Sequence, residues 1–398
     1  MKSSGINWHI IKRAAVVMGV VILALWLWSP GFLFGPRGAS EEYKRNHPSA
    51  FTIHYGLPDF SPDGQKLLFE YGALSWGTKM ATYDLRTGEI FTYSKIGIKY
   101  CLSRAYSRDG KQIVFIGASR NEGARNIYLM NSDGSGLRKL TNYVERTYKK
   151  GELTPQMIIE GEVGPQIFIW APSFSPDGKR ILYAKSTRKR KRAYPLSGVM
   201  HADWDIYELD IATGTERRLT DYNFYDISYP YYLADGKRFI FAGEGPVKLG
   251  AMDFREYEKR YGKNYIMIMG GRKNELKPIL MNQDNSGLPS VSYKDDILFI
   301  SRTDQMDGLE NIPVAYRDLF LFRNGGITRL TKMRDDIWRA RISPDGGRVV
   351  FLIRRKNNEG ESIWMIKSDG TEIKEIMIPK EKLEIPLREK GGNDETLY

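Results

Sequence analysis

Cysteine occurs once in the 398 residues, at Cys101. No intrachain disulfide can form, and no cysteine-based metal cluster can be built. That thiol sits in "IKYCLSRAY", which reads as a strand and predicts a buried, unreactive side chain. Histidine is nearly as scarce, with His9, His47, His54 and His201 making up the whole set. Only His201 has carboxylates close by, Asp203 and Asp205, and it reads as a solvent-facing group before it reads as a metal ligand. No Gly-x-Ser-x-Gly elbow, His-Glu-x-x-His helix or P-loop is present. No stretch of about two hundred residues alternates strand and helix, so a hydrolase domain is missing together with its serine. Asp304, Asp307 and Glu310 in "DQMDGLEN" do not follow the alternating spacing of an EF-hand loop and read as a solvated acidic loop. The expectation from these absences is a protein that is not an enzyme and holds no cofactor or metal.

Long apolar runs are also missing, with one exception. "AAVVMGVVILALWLWSPGFLF", residues 14–34, carries no charge and is long enough to cross a bilayer as a helix. Lys2, Lys12 and Arg13 precede it, and Trp26, Trp28, Phe32 and Phe34 gather near its far end as an interfacial belt would. It reads as a transmembrane signal-anchor with residues 1–13 in the cytoplasm. A cleaved signal peptide is the rival, since "GAS" at 38–40 offers small residues for cleavage. Either way the large domain is exported, and the expected location is the inner membrane with the bulk facing the periplasm or cell exterior. The formal charge of +12 and pI near 9.4 favour contact with anionic surfaces. The 24 Tyr, 17 Phe and 8 Trp lean towards β structure.

The body of the chain repeats itself. "FSPDGQKLLFE" opens at Phe60, "YSRDGKQIVFI" at Tyr106, "FSPDGKRILYA" at Phe174, "YLADGKRFIFA" at Tyr232 and "ISPDGGRVVFL" at Ile342. Pro presets φ at the first corner, Asp bonds back to the backbone and Gly takes the positive φ, which makes each phrase a tight hairpin. The run after each bend alternates polar and apolar, as a strand does. A second hairpin follows, as in "NIYLMNSDGSGLRKLT" from 126, "DIYELDIATGTERRLT" from 205 and "DLFLFRNGGITRLT" from 318. Gly64, Gly110, Gly178, Gly236, Asp296 and Gly346 mark six such units, the fifth of them degenerate. Four-stranded units at roughly 40–50 residues predict an all-β fold, a six-bladed β-propeller over residues 51–379.

The phrase "FSPDGKRILYA" resembles the signature of the TolB-like propeller repeat, a relative of the WD repeat. The resemblance implies the propeller fold and does not specify function, because such blades recur in scaffolds, in gating domains of prolyl oligopeptidases and in some lyases. It also implies peptidoglycan-associated or secretion-system partners. Only residues 35–50, a linker, lie between the anchor and the first blade, so the α/β domain of TolB has no counterpart there. Residues 380–398 read as a charged, solvated tail.

In a four-stranded meander the first–second and third–fourth turns share one face. The second–third loops and the crossovers share the other. All the long insertions, 142–164, 186–202, 243–263 and 302–317, belong to the second set. Arg188, Lys189, Arg190, Lys191 and Arg192, with Tyr194 beside them, form the densest basic run and read as an anionic contact or as a solvated loop. Behind an export segment no nucleic-acid partner is expected. First strands line the axis, which nominates Trp170, Tyr229, Tyr231, Trp338, Arg339 and Arg341 near the channel. They read first as packing between blades; if something is bound centrally, Arg339 and Arg341 are the natural anion partners.

The expected function is a membrane-anchored scaffold whose loop-rich face docks an envelope protein or an anionic polymer. A carbohydrate-active lyase or hydrolase working at the channel mouth is the alternative. A structural subunit of a larger membrane complex is the third.

Overall fold

The computed structural model describes residues 53–73, 77–118, 124–144, 167–186, 191–192, 200–201, 204–246, 265–269, 276–278, 287–302, 316–354 and 360–383. The expected anchor at 14–34, the linker and most of the tail lie outside these residues. Among the described residues no helix is long and apolar enough to cross a membrane.

Strand pairing follows the repeat. The first meander pairs His54–Tyr55 and Asp59–Phe60 with Lys66–Ala73, then Gly77–Asp84 and Ile90–Thr92. The second runs Tyr100–Tyr106, Gln112–Ala118, Asn126–Asn131 and Arg138–Lys139. The third runs Phe168–Phe174, Arg180–Ser186, Trp204–Asp210 and Glu216–Arg218. The fourth runs Phe224–Tyr232, Phe239–Pro246, Tyr265–Met269 and Leu276–Pro278. The fifth runs Gly287–Val291, Ile297–Arg302, Arg317–Arg323 and Gly326–Arg329. The sixth runs Ile337–Ile342, Arg348–Arg354, Glu361–Lys367 and Lys374–Ile376. One-residue bridges, Thr78 to Tyr100 and Trp204 to Phe224, stitch neighbouring meanders into larger sheets.

Each first strand touches the first strand of the next meander, and Ile337–Ile342 touches Asp59–Phe60, so the innermost strands form a ring. The cores lie between meanders. Leu68, Met80, Cys101 and Phe115 join the first two, Val114, Leu129, Ile181 and Leu209 the next two, and Leu182, Ile206, Phe224 and Phe241 the third to the fourth. Tyr55, Phe69 and Tyr71 pack on Val350, Leu352 and Ile363, which closes the ring. Burying a side chain such as Phe69 or Leu352 contributes roughly 1.5–3 kcal/mol. Among the described residues closure uses no exchanged strand, since His54–Tyr55 and Asp59–Phe60 pair within their own meander. Glu361 accepts the Tyr55 N–H at 3.1 Å and meets His54 Nδ1 at 3.2 Å, and Arg348 Nη2 donates to Gly64 O at 2.6 Å.

The repeated phrase is architecture. Ser61, Ser107, Ser175 and Ser343 each donate a hydroxyl to Asp63, Asp109, Asp177 and Asp345, at 2.5 to 2.6 Å, and accept a backbone N–H from the returning strand. The glycine two residues after the Ser-Pro corner takes φ near +70°, as at Gly178. In the fifth unit the turn residue is Asp295, φ +64°, and not Asp296, because this bend is one residue shorter: Ser292 pairs back to Asp296.

The second phrase is a clamp. Asn126, Asp205 and Asp318 open the third strands, and each accepts a hydroxyl from the Thr that ends its "LT" (Thr141, Thr220 and Thr331) at 2.6 to 3.0 Å. Those hydroxyls accept the N–H of Ile127, Ile206 and Leu319. A buried polar pair thus holds the outer strand to the blade.

Candidate functional site

The innermost strands are not regular. Their ladders slip at 102/104, 170/173, 228/231, 287/290 and 337/339. Ser103, Ala171, Tyr229 and Leu288 take the left-handed conformation at these bulges, with φ between 43° and 56°. Each stands seven positions before its turn residue (103 against 110, 171 against 178, 229 against 236, 288 against 295). The irregularity is therefore part of the repeat, and it re-aims the next residues along the axis.

Five positions before the turn residue lie Asp59, Ala105, Ser173, Tyr231, Ser290 and Arg341, and all six line one cavity. Counting its mouth, this cavity holds about 770 Å³, and Phe60, Tyr106, Tyr232 and Tyr293 add aromatic wall. Behind Tyr231 and Arg341 of its wall, Leu57, Ala171 and Tyr229 are buried together, with Trp170 and Leu288 against them. The cavity opens beside the hairpin turns. The second strands end at Ser186, Pro246 and Arg302, where three of the long insertions depart, and these ends are remote from the turns.

Two arginines dominate the electrostatics. Arg104 is 6 % exposed and its guanidinium is committed, pairing with Glu70 and donating to the carbonyls of Leu57 and Leu68. Glu70 Oε1 also accepts the Ser103 N–H at 3.0 Å, so the pair holds the first inner strands together. Burial pulls Arg104 below its usual value, with Glu70 and Asp59 opposing. Arg341 is likewise 6 % exposed, but its guanidinium lies over the rings of Tyr229 and Tyr231, at 4.3 and 5.3 Å. Asp59 lies deep in the protein while keeping part of its surface on the cavity. Burial pushes its carboxyl above the usual range, opposed by Arg341, Arg104 and the Phe60 N–H. Burial likewise raises the Tyr231 phenol and takes that of Tyr293 to about 12. On the rim Arg108 stacks on Tyr293 at 4.3 Å.

Of the residues nominated from sequence, Arg341 and Tyr231 reach this cavity and Tyr229 lies behind them. Trp338 turns towards the join between the first and last meanders, its ring held by the guanidinium groups of Arg339 at 4.1 Å and Arg354 at 4.8 Å. Arg339 is thereby drawn to Trp338 and is not among the residues lining the cavity. Arg188, Lys189, Arg190 and Tyr194 lie outside the described residues. Lys191 and Arg192 pair with His201 and Met200 in a short antiparallel ribbon. Asp304, Asp307 and Glu310 also lie outside, and among the described residues no three His, Cys, Asp or Glu gather to hold a metal. Asp205, near His201 in sequence, is spent on the Thr220 clamp. Cys101 is buried, and burial raises its thiol to about 12. Asp59, Arg104 and Glu70 escaped the sequence reading; the signal for Asp59 is its offset from Gly64, equal to that of Arg341 from Gly346.

No protein-family profile matches the chain, and no curated protein does. Solved structures match it by shape. TolB from Acinetobacter baumannii superposes with a TM-score of 0.50 at 18% identity, covering 83% of this chain and 68% of that one. The β-propeller domain of the Trilobed protease from Pyrococcus furiosus gives 0.47 at 16%, covering 81% and 97%. Oligogalacturonate lyase from Vibrio parahaemolyticus gives 0.47 at 11%, covering 81% and 78%. At such identities the likeness to TolB concerns shape alone, and it agrees with the strand pairing and with the repeated bend. The fold of this chain is that of a TolB-like β-propeller.

Proposed function

We propose that this protein is a membrane-anchored scaffold of the cell envelope, built as a six-bladed propeller, that binds a protein or an anionic polymer. The observation that carries the reading is the axial cavity, whose polar lining is arginine, serine and tyrosine with a single carboxylate, the lining of a recognition site. The closed ring of six inner strands supports the blade number. The uncharged run at 14–34 and the net charge of +12 support a membrane anchor and an anionic partner. On this reading the propeller faces the periplasm or the exterior.

Two measurements test it. The full chain in native membranes is fractionated after an alkaline wash, and it stays in the pellet; recovery in the supernatant refutes the anchor. Crosslinking in those membranes is then compared with a variant carrying Gln at Arg188, Lys189, Arg190, Lys191 and Arg192. Loss of the crosslinked product supports docking through that run, and retention of every product refutes it.

One observation favours the enzymatic alternative. Asp59, raised by burial and facing Arg341 across the cavity, has the environment of a general acid. A carbohydrate lyase or hydrolase reading requires glycan turnover that Asp59→Asn abolishes, and no turnover on acidic or neutral glycans removes it.

A further inference from the structure

Of the two buried arginines among the described residues, Arg104 and Arg341, each with an Nε that has no partner, only Arg341 also lacks a carboxylate. Arg104 pairs with Glu70, Arg180 with Glu208 at 3.0 Å, Arg218 with Asp205 at 2.5 Å, Arg323 with Asp296 at 2.9 Å and Arg329 with Asp318 at 2.6 Å. Arg341 is as buried as Arg104, yet no carboxylate among the described residues comes within ion-pair distance of it. Its Nε is shut from solvent without a partner, and its Nη1 reaches only the Ala340 carbonyl at 3.3 Å. A guanidinium taken from water and left without a counter-charge in contact is unfavourable until an anion joins it. Asp59 acts on it across the cavity through its field and makes no hydrogen bond to it. Arg341 lines the cavity, and with Nε shut in, its Nη groups are the donors it can offer there.

We propose that the axial cavity is a carboxylate-binding site, in which the planar carboxylate of a small organic acid seats on the Arg341 guanidinium. This deepens the binding function proposed above by naming a ligand chemistry for the axial site. The fork of two parallel N–H donors matches two coplanar oxygens. Ser290 stands in the same ring of residues; its Oγ accepts the Ile342 N–H at 3.2 Å, which leaves its hydroxyl hydrogen to give to the ligand. Tyr231, already stacked under the guanidinium, walls the ligand's other side. The charge count selects a monoanion. Arg104 is spent on Glu70, Arg108 lies at the rim, and Asp59 repels, so a phosphate dianion would face one available cation and one opposing carboxylate. Ser173 adds no donor, because its hydroxyl is given to Pro230 O at 2.7 Å.

The test is a thermal-unfolding and calorimetric titration of the full chain in a non-ionic detergent, at matched ionic strength. Acetate and N-acetylalanine raise the unfolding midpoint; chloride and N-acetylalaninamide do not, and phosphate does so less. The two acids separate the sources of the group. Tighter binding of N-acetylalanine points to a peptide terminus, and equal binding to a free acid. Arg341→Lys keeps the charge, loses the fork and binds carboxylate at least about ten-fold more weakly; Arg341→Met abolishes the response. Should the methionine variant not fold, Ser290→Ala, expected several-fold weaker, and Asp59→Asn, expected several-fold tighter, decide the matter. A wild-type response to carboxylates no greater than to chloride overturns the proposal, as does a response unchanged in Arg341→Lys. The wider binding function fails separately. Membrane crosslinks that survive Arg341→Lys leave that function standing without this site, and a carboxylate response with no crosslinked partner does the reverse.

Discussion

Replacing Asp205 by alanine dissects the clamp that recurs through the blades. Asp205 is 2 % exposed and accepts four hydrogen bonds, from the Thr220 hydroxyl at 2.6 Å, the N–H groups of Tyr222 at 2.9 Å and Asn223 at 3.2 Å, and Arg218 at 2.5 Å. Arg218 keeps Asp221 at 2.8 Å and Asn223 at 2.9 Å, so the cation is not stranded. What remains is one hydroxyl and two backbone N–H groups without an acceptor, each worth about 1–3 kcal/mol if sealed from water. Partial access of solvent at the blade edge puts the total at about 3–4 kcal/mol, a large share of a domain's stability. Asparagine is a sharper probe, because the protein itself uses one at the equivalent place. Asn126 accepts the Thr141 hydroxyl at 3.0 Å and the Tyr143 N–H at 2.7 Å. Asp205→Asn therefore keeps the oxygen that serves Thr220 and Tyr222 and loses the two bonds made to the other, from Arg218 and from the Asn223 N–H, for about 2 kcal/mol. Urea unfolding followed by tryptophan fluorescence reads both, with the comparison valid where the slope is unchanged. Alanine within about 1 kcal/mol of wild type, or asparagine as costly as alanine, refutes the account of the clamp.

Three further outcomes follow from the fold. Glu361→Ala removes the acceptor of the Tyr55 N–H and the partner of His54 across the ring join; it costs about 2 kcal/mol, and limited proteolysis cuts residues 53–60 first, whereas uniform cutting contradicts closure at that point. Cys101, buried and raised to about 12, stays unlabelled by a maleimide at pH 8 and gives a single labelled thiol on denaturation, so stoichiometric native labelling contradicts its burial. Asp63, Asp109, Asp177 and Asp345 are held below the usual carboxyl value, chiefly by the serine hydroxyls two residues earlier. Their folded forms bind protons less readily than the unfolded chain. The stability they add is complete above the ordinary Asp value of about 3.9 and is lost as pH falls through the lower folded values. Ser175→Ala, which frees Asp177, removes part of that contribution and moves the acid-unfolding midpoint upward; an unmoved midpoint breaks the link.

How much of this was open to reading depends on which end of the inner strand is counted from. From the bends, register is constant: five positions back from each turn residue names one cavity-lining residue on every inner strand, including Asp59, which sits behind "YGLP" in a strand two residues long that alternation does not reveal. From the crossover end the count fails, because the bulges at Ser103, Ala171, Tyr229 and Leu288 shift the alternation before it reaches the axis. Trp338, Arg339 and Arg341 looked equivalent in "DDIWRARIS" for that reason, and only Arg341 reaches the cavity, while Trp338 meets a cation from its own strand and another from Arg354 on the next. Where the bend degenerates the register moves by one: counting from Asp296 names Val291, and counting from Asp295, the residue with positive φ, names Ser290, the position equivalent to Arg341; both line the cavity. The pairing of Arg104 with Glu70 left no local trace, since the partners stand 34 residues apart and meet only when the second meander packs on the first. The same reasoning separates the two faces. Insertion length draws the eye to the end where loops are long, yet Arg341 lies at the end where the described turns are short. A short loop leaves an axial cavity open, and among the described residues the cavity lies beside the short turns.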